Sequence, residues 1–248
     1  MENFKNRNRF IQYELWKDCS LGCKFCFNKK QKDADKIESL LFVIDKLDNP
    51  EVLDYNEVGF IGGEFFNGEI AKPKVKQLFY NLFKKLSTMH FEKIYITGAL
   101  MYDMNTYLIP FLDYLKEIKL LDKTLFCTSY DLKYRFYTKE REDLWKNNML
   151  LLHKLYPELK LHTETVITQY FIDAVLNDEF SITDFCNTYH TKLDYIEPTS
   201  GLYYKDKQEC IKDIPDFFPT KDSFIDFMMK TGVESNEIDL KTFLSMEI

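Results

Sequence analysis

Three cysteines are concentrated in one short stretch, WKDCSLGCKFCFNKK, at residues 16–30. Cys19, Cys23 and Cys26 have the spacing C-x3-C-x2-C, and neither a fourth cysteine nor a histidine lies nearby. Thiolate is a soft ligand that binds zinc, copper(I) or iron–sulfur clusters. In a chain of this length with six cysteines, the spacing is expected by chance only about 0.004 times. The triad therefore indicates a metal site.

The missing fourth ligand distinguishes two kinds of metal site. A structural zinc site is closed by four protein ligands, usually as two pairs, and this chain has no second C-x2-C pair. A [4Fe–4S] cluster ordinarily takes four cysteines, so three would leave one iron open to an exogenous ligand. Two alternatives follow: a zinc-binding module that borrows a ligand, or a cluster with a catalytic iron.

The elements that must position this loop alternate along the chain. Short β-branched or aromatic runs predict six strands, at 9–19, 57–64, 93–100, 124–131, 159–168 and 192–201. Apolar residues at intervals of three and four predict helices at 35–47, 73–86, 104–120, 142–156 and 182–190. Pro73 is well placed to start its helix.

Strands that alternate with helices indicate right-handed βαβ units and a parallel sheet with helices outside it. Six units are too few for a closed eight-stranded barrel. The sequence therefore predicts an α/β fold, a partial (β/α)6 parallel barrel over 1–201, followed by a loop and helix over 202–248 that lid its mouth or cover its open side. In such barrels the chemistry lies at the carboxyl ends of the strands.

The positions of two motifs resemble those of the radical S-adenosylmethionine (radical SAM) superfamily. The cysteine loop follows the first predicted strand, with an aromatic residue, Phe25, before Cys26, and IGGE at 61–64 ends the second. Radical SAM enzymes carry C-x3-C-x-Φ-C and GGE(P) motifs at these points. Phe65 stands where the family usually has proline, which leaves the geometry of that turn open.

The resemblance implies a set of cofactor-binding residues. The three cysteines would hold three irons of a [4Fe–4S] cluster, and S-adenosyl-L-methionine (SAM) would chelate the fourth. Phe25 and Phe27 would flank the adenine. Gly62 and Gly63 would let the backbone approach SAM closely, and the region of Glu64 would help to receive the methionyl ammonium.

Residues after the fourth strand are weaker candidates. The segment TSYD resembles an S-x-D element of members that act on peptides, which makes Ser129 and Asp131 candidates for SAM binding. Arg135 or Arg141 is a candidate for the SAM carboxylate. The alternative for these polar residues is an ordinary strand end or helix cap.

Later strands add further candidates. Glu164 and Thr168 are an even number of residues apart, so they share one face of the predicted fifth strand, and Glu197 ends the sixth. Cys210 is a candidate hydrogen donor. We interpret Cys127 as a packing residue, because isolated cysteines are more often small buried hydrophobes.

The chemistry that the resemblance implies is reductive cleavage of SAM to a 5′-deoxyadenosyl radical, which abstracts hydrogen from a substrate. It implies an electron donor such as flavodoxin or ferredoxin. The substrate is a peptide or protein side chain, or alternatively a nucleotide or nucleic acid. The net charge of −7 disfavours a nucleic-acid coat or a membrane-surface protein. The polar N-terminus and the lack of a bilayer-length apolar run predict a cytoplasmic protein without a membrane partner.

Overall fold

The computed structural model describes residues 9–17, 19, 21–23, 26, 36–66, 68, 70–196 and 217–232. Its strands are β1 (Phe10–Trp16), β2 (Glu57–Gly62), β3 (Lys93–Thr97), β4 (Thr124–Ser129), β5 (Lys160–Val166) and β6 (Thr191–Ile196). Its helices are α1 (Lys36–Lys46), α2 (Pro73–Leu86), α3 (Leu108–Glu117), α4 (Lys139–Leu155), α5 (Gln169–Leu176), α6 (Ile182–Tyr189) and α7 (Lys221–Thr231). Short 3₁₀ helices span Pro50–Asp54 and Leu121–Lys123.

The six strands form one sheet in chain order, β1-β2-β3-β4-β5-β6. The neighbours from β1 to β4 pair in parallel, each connected by a helical crossover. This confirms the predicted partial (β/α)6 parallel barrel. None of the helices within the described ranges is long and apolar enough to cross a lipid bilayer.

Local sequence signals set the ends of several helices. Pro73 begins α2, as predicted, at a position where its missing N–H is not needed. Ser181 caps α6 and Thr220 caps α7, each through its side-chain oxygen. Gly232 ends α7 in the left-handed conformation, with φ at 68°.

Helix α5 was not predicted, and the fifth strand is shorter than predicted. The strand ends at Val166, and Thr168 is the N-cap of α5, its side chain accepting a hydrogen bond from Phe171 N. The prediction that Thr168 lies on a face of the strand is therefore wrong. An eight-residue helix directly after an apolar strand has too few turns for its own periodicity to stand out.

The chain divides into two compact units. The first comprises 1–21, 28–128 and 144–161, and the second comprises 22–27, 129–143 and 162–248. The division of the chain into a core over 1–201 and an extension over 202–248 stays a prediction.

The core of the first unit is rich in aromatic side chains between the sheet and its helices. Phe79 and Phe83 of α2 contact Phe111 of α3, with ring centroids 5.1 and 4.9 Å apart. Phe60 of β2 packs against Phe83 at 5.5 Å. These four side chains are fully buried, so the helices are fixed on β2 by a tightly packed cluster.

The second unit holds α7 against α5. Phe171 of α5 contacts Phe227 of α7, with ring centroids 5.8 Å apart. At one end Gln169 accepts hydrogen bonds from Thr220 N and Ser223 Oγ, at 2.7 and 2.9 Å. The helix predicted in the C-terminal segment is thus confirmed for Lys221–Thr231, packed on α5.

Candidate functional site

The cysteine loop begins three residues after the end of β1. Cys19, Cys23 and Cys26 are reduced and partly exposed. Cys26 N donates a hydrogen bond to Cys23 O at 3.0 Å, which links these two cysteines. Phe25 and Phe27 lie outside the described residues, so their predicted contact with adenine stays a prediction.

The three thiols have the chemistry that an iron–sulfur cluster requires. They are soft donors, reduced and accessible at the carboxyl end of a strand. Across the described ranges, no group of three or more His, Cys, Asp or Glu side chains is already assembled as a metal site. The three-cysteine ligand set therefore fits the cluster by donor type and stays a prediction as a coordination geometry.

Backbone contact joins the end of β1 to the GGE motif. Gly62 has φ at +151°, and a Cβ at this position would lie 2.0 Å from the carbonyl oxygen of Trp16. Gly63 N donates a hydrogen bond to that same oxygen at 2.7 Å. Glycine is thus required at residue 62 by the neighbouring strand. The contact fixes the start of the cysteine loop relative to GGE.

The buried Glu64 carboxylate connects the turn after β2 with the loop after β3. One carboxylate oxygen accepts Phe66 N at 2.9 Å and the other accepts Ala99 N, after β3, at 2.6 Å. Its carbonyl oxygen accepts Trp16 Nε1 at 3.3 Å. Burial raises the pKa of Tyr102, and the adjacent Glu64 carboxylate raises it further. Reception of the methionyl ammonium in this region stays a prediction, and the carboxylate itself is engaged with backbone N–H groups.

Phe65, the residue after the GGE motif, packs inward. Its ring is fully buried and lies edge-on to Trp16, with centroids 4.9 Å apart. The turn after β2 is therefore anchored by an apolar contact with the end of β1.

Asn148 clamps the loop after β3, a role that was not predicted. Its Nδ2 donates to Leu100 O and Tyr102 O, both at 2.9 Å. Leu100 has φ at 56°, in the left-handed region. The signal was present in the sequence, since Asn148 is a polar residue on the apolar stripe of α4 with Trp145 and Met149.

The segment after β4 forms a turn around Asp131. Its Oδ1 accepts hydrogen bonds from Lys133 N, at 2.9 Å, and from Tyr134 N. Burial raises the pKa of Asp131, although these bonds and the Arg135 guanidinium oppose the shift. Ser129 is half-buried at the end of the strand. Asp131 thus closes this turn with its side chain, and SAM binding by Ser129 or Asp131 stays a prediction.

The two arginine candidates occupy different environments. Arg135 is 8% exposed, and its Nε has no hydrogen-bond partner within the described part of the chain. Arg141 is half-exposed, with its guanidinium 5.6 Å from the ring centroid of Tyr137. Burial, followed by the charge of Cys23, raises the pKa of Tyr137. Arg141 therefore stands beside a tyrosine that is close to the cysteine loop.

The remaining candidates lie on β5, on β4 or outside the described residues. Glu164 is half-buried on β5, and burial raises its pKa. Cys127 is buried within β4, in agreement with its interpretation as a packing residue. Glu197 and Cys210 lie outside the described residues, and their roles stay predictions.

Comparison with solved structures identifies the fold. The chain is similar to anSMEcpe, a radical SAM anaerobic sulfatase-maturating enzyme, in a structure described as native with bound AdoMet and Cp18Cys peptide. The TM-score is 0.58 at 15% sequence identity, over 90% of this chain and 58% of that one. A second structure, of polyhistidine-tagged anSMEcpe with bound AdoMet, gives a TM-score of 0.49 at 16% identity over 76% of this chain and 49% of that one.

The likeness confirms that this chain has the fold of a radical SAM enzyme. The chain spans little more than half the length of anSMEcpe. No protein-family model and no curated protein match the sequence.

Proposed function

We propose that this chain is a radical SAM enzyme in which Cys19, Cys23 and Cys26 hold a [4Fe–4S] cluster and SAM binds at the open iron. One observation carries the proposal. The backbone contact between Trp16 and Gly62 joins the strand that precedes the cysteine motif to the strand that ends in GGE, within a fold like that of anSMEcpe.

A [4Fe–4S] cluster held by Cys19, Cys23 and Cys26 would supply the electron for reductive cleavage of bound SAM, and so the hydrogen-abstraction chemistry of this enzyme class. The chain's own residues position the components. Trp16, Gly62 and Glu64 hold the start of the cysteine loop against the turn after β2. Glu64 also fixes Ala99, so the end of β1, the GGE turn and the residues directly after β3 are held together.

A peptide or protein side chain is the substrate class that we propose. In support, the structure of anSMEcpe holds a Cp18Cys peptide, and TSYD resembles the S-x-D element of peptide-acting members. The proposal needs a one-electron donor such as flavodoxin or ferredoxin. A cytoplasmic location suits it, because that reducing compartment keeps thiols available to metal.

The test is anaerobic purification and cluster reconstitution, followed by reduction with dithionite in the presence of SAM and chromatographic assay for 5′-deoxyadenosine. We expect the parent to form it and Cys26→Ala to form none. Cys186→Ala is the matched control, since Cys186 lies outside the motif on α6, and should behave as the parent does. A colourless protein with stoichiometric zinc would overturn the proposal in favour of a zinc-binding module.

The substrate class is tested with deuterated probes. Pools of peptides and pools of nucleotides, each deuterated at carbon, are incubated separately with the reconstituted chain. Deuterium in 5′-deoxyadenosine from the peptide pool supports the proposed class. Transfer from the nucleotide pool alone would replace a peptide with a nucleotide as the substrate.

A further inference from the structure

Four polar side chains lie together on one face of β5 and β6. His162 and Glu164 alternate along β5, and Lys192 and Asp194 alternate along β6. The next residue, Tyr195, packs against Phe171 of α5 and Phe227 of α7, with ring centroids 6.5 and 5.9 Å away. Because neighbouring residues of a strand point to opposite faces, Asp194 and His162 lie on the face away from these helices.

His162 and Asp194 form a hydrogen-bonded pair across the two strands. Nδ1 of His162 lies 2.7 Å from Oδ2 of Asp194, and Nζ of Lys192 lies 3.0 Å from the other carboxylate oxygen. Burial by itself raises the pKa of Asp194, but the hydrogen bonds from His162 and Lys192 outweigh it and hold the pKa below its usual range. Asp194 is therefore an ionised hydrogen-bond acceptor for His162 and Lys192.

The pairing determines which ring nitrogen of His162 is available. An ionised carboxylate only accepts hydrogen bonds, so Nδ1 of His162 keeps its proton and donates a hydrogen bond to Asp194. In the neutral ring, Nε2 is then an unprotonated acceptor. Nε2 has no hydrogen bond to any residue in the described part of the chain, and the side chain is 21% exposed. Within the described ranges, this basic nitrogen is thus unbonded, on the face opposite α5 and α7.

The half-buried Glu164 interacts electrostatically with both members of this pair and with the buried Arg135. Burial raises the pKa of Glu164, the charge of Asp194 raises it further, and Arg135 and His162 oppose the shift. Arg135 is 8% exposed and its Nε is unbonded within the described ranges. The surroundings of His162 therefore combine an unbonded imidazole nitrogen, Nε2, with a buried hydrogen-bond donor, the guanidinium of Arg135.

We propose that the His162–Asp194 pair is a proton-acceptor site for a hydroxyl, thiol or amide N–H of the substrate, which rests on the proposed function. In this step the substrate's O–H, S–H or N–H bond breaks, the proton passes to Nε2, and the electron pair stays on the substrate. No electrons leave either partner. His162 is the catalytic residue, and Asp194 is a positioning residue that stabilises the imidazolium.

The first test uses the parent protein without any substitution. Nitrogen-15 NMR of the histidine rings identifies the protonated nitrogen of each neutral imidazole, with assignment by His162→Gln. We expect His162 to carry its proton on Nδ1. A proton on Nε2 in the parent would overturn the proposal, whatever the behaviour of any variant.

The second test measures the reactivity of Nε2 with diethylpyrocarbonate, an acylating probe for open imidazole nitrogens, by peptide mapping of the full-length reduced chain. We expect Asp194→Asn to slow modification of His162 roughly tenfold, because the charge-assisted bond is lost and the amide favours the other tautomer. An unchanged rate would overturn the proposal.

Two controls accompany the acylation of His162: a second histidine in the same digest and a variant away from β6. His90 Nε2 lies 2.6 Å from Tyr55 O, so its modification in the same digest should not respond to Asp194→Asn. Asp113→Asn, which alters the partner of Tyr156 in the other unit, should leave His162 unchanged. If Asp194→Asn altered His90 as well, the variant would be misfolded, and the NMR result on the parent would decide.

Failure of this proposal is distinguishable from failure of the proposed function. The 5′-deoxyadenosine assay on the parent runs in parallel and does not depend on His162. Product together with an unreactive His162 would overturn the proton-acceptor site alone. A reactive, Nδ1-protonated His162 in a colourless protein with stoichiometric zinc would overturn radical SAM chemistry and leave a basic site on this face.

Discussion

The carbonyl oxygen of Trp16 occupies the space in which a side chain at Gly62 would begin, since a Cβ there would lie 2.0 Å from it. The last residues of β1 and β2 therefore meet through backbone atoms alone. Cys19 follows three residues after Trp16, and Glu64 two residues after Gly62. The contact thus sets the position of the end of β1, which precedes Cys19, relative to the GGE motif.

Gly62→Ala is expected to destabilise the fold. The new Cβ meets rigid backbone at a φ of +151°, so the free energy of unfolding should fall by at least about 2 kcal/mol. Urea denaturation of the reduced protein measures it. Gly68→Ala is the matched control, because a Cβ there has nothing within 4 Å, and its change should stay within about 0.5 kcal/mol. Equal stability of the two variants would contradict the close contact.

Glu64→Gln is expected to weaken the connection that the Glu64 carboxylate makes between the loops after β2 and β3. Glutamine offers one acceptor oxygen, so either Phe66 N or Ala99 N would face a donor inside the core. We expect a loss of about 1–3 kcal/mol in the free energy of unfolding. Glu117→Gln, on the exposed face of α3, is the control. A loss no larger than that of the control would show that the carboxylate does not hold these amides.

Glu164→Gln is expected to change the pH dependence of stability. Burial raises the pKa of Glu164 in the folded chain, so the folded state binds this proton more tightly than the unfolded state does. The parent therefore loses stability as pH rises from the unfolded value of about 4.3 through the raised folded value. Glutamine stays neutral, and the variant should gain stability over the parent across this interval and keep the gain at neutral pH.

Glu158→Gln provides a control of opposite sign. A hydrogen bond from Lys116, at 2.9 Å, lowers the pKa of Glu158, so the parent gains stability as pH rises from that lowered value to the unfolded one. This variant should lose stability relative to the parent, and only slightly, because the pair is exposed. Thermal unfolding between acid and neutral pH measures both variants. The same sign for both would contradict the assigned environments.

Lys230→Met is expected to loosen α7 from α5. Nζ of Lys230 donates to Val175 O, Leu176 O and the Asp178 carboxylate, at 2.9, 3.0 and 2.5 Å. Methionine keeps the stem and removes all three bonds. Hydrogen exchange over 221–231 should accelerate roughly tenfold.

Met229→Ala serves as the control for α7, since Met229 is 72% exposed and its truncation leaves those bonds intact. Exchange over 221–231 should stay close to that of the parent. If both variants exchanged alike, the helix would be held by its aromatic face and not by Lys230.

The alternation of six strands with helices was predicted from the sequence, in which the cysteine and GGE motifs are read directly. These features are encoded locally: hydrophobic periodicity predicts each element, and fixed spacing identifies each motif. The start of α2 at Pro73 was predicted to the residue, because proline is tolerated in the first turn of a helix and disfavoured further in.

Tertiary structure alone decided which distant residues meet. His162 and Asp194 are 32 residues apart, and Glu64 and Ala99 are 35 apart. Their contacts depend on the pairing of strands and the path of loops, which no local pattern encodes. The tertiary structure also decided that Thr168 caps α5, and that residue 62 must be glycine because the carbonyl oxygen of Trp16 lies against it. The residue types and their spacing determined which chemistry we propose for the chain, and the packing of its strands determined which distant residues lie in contact.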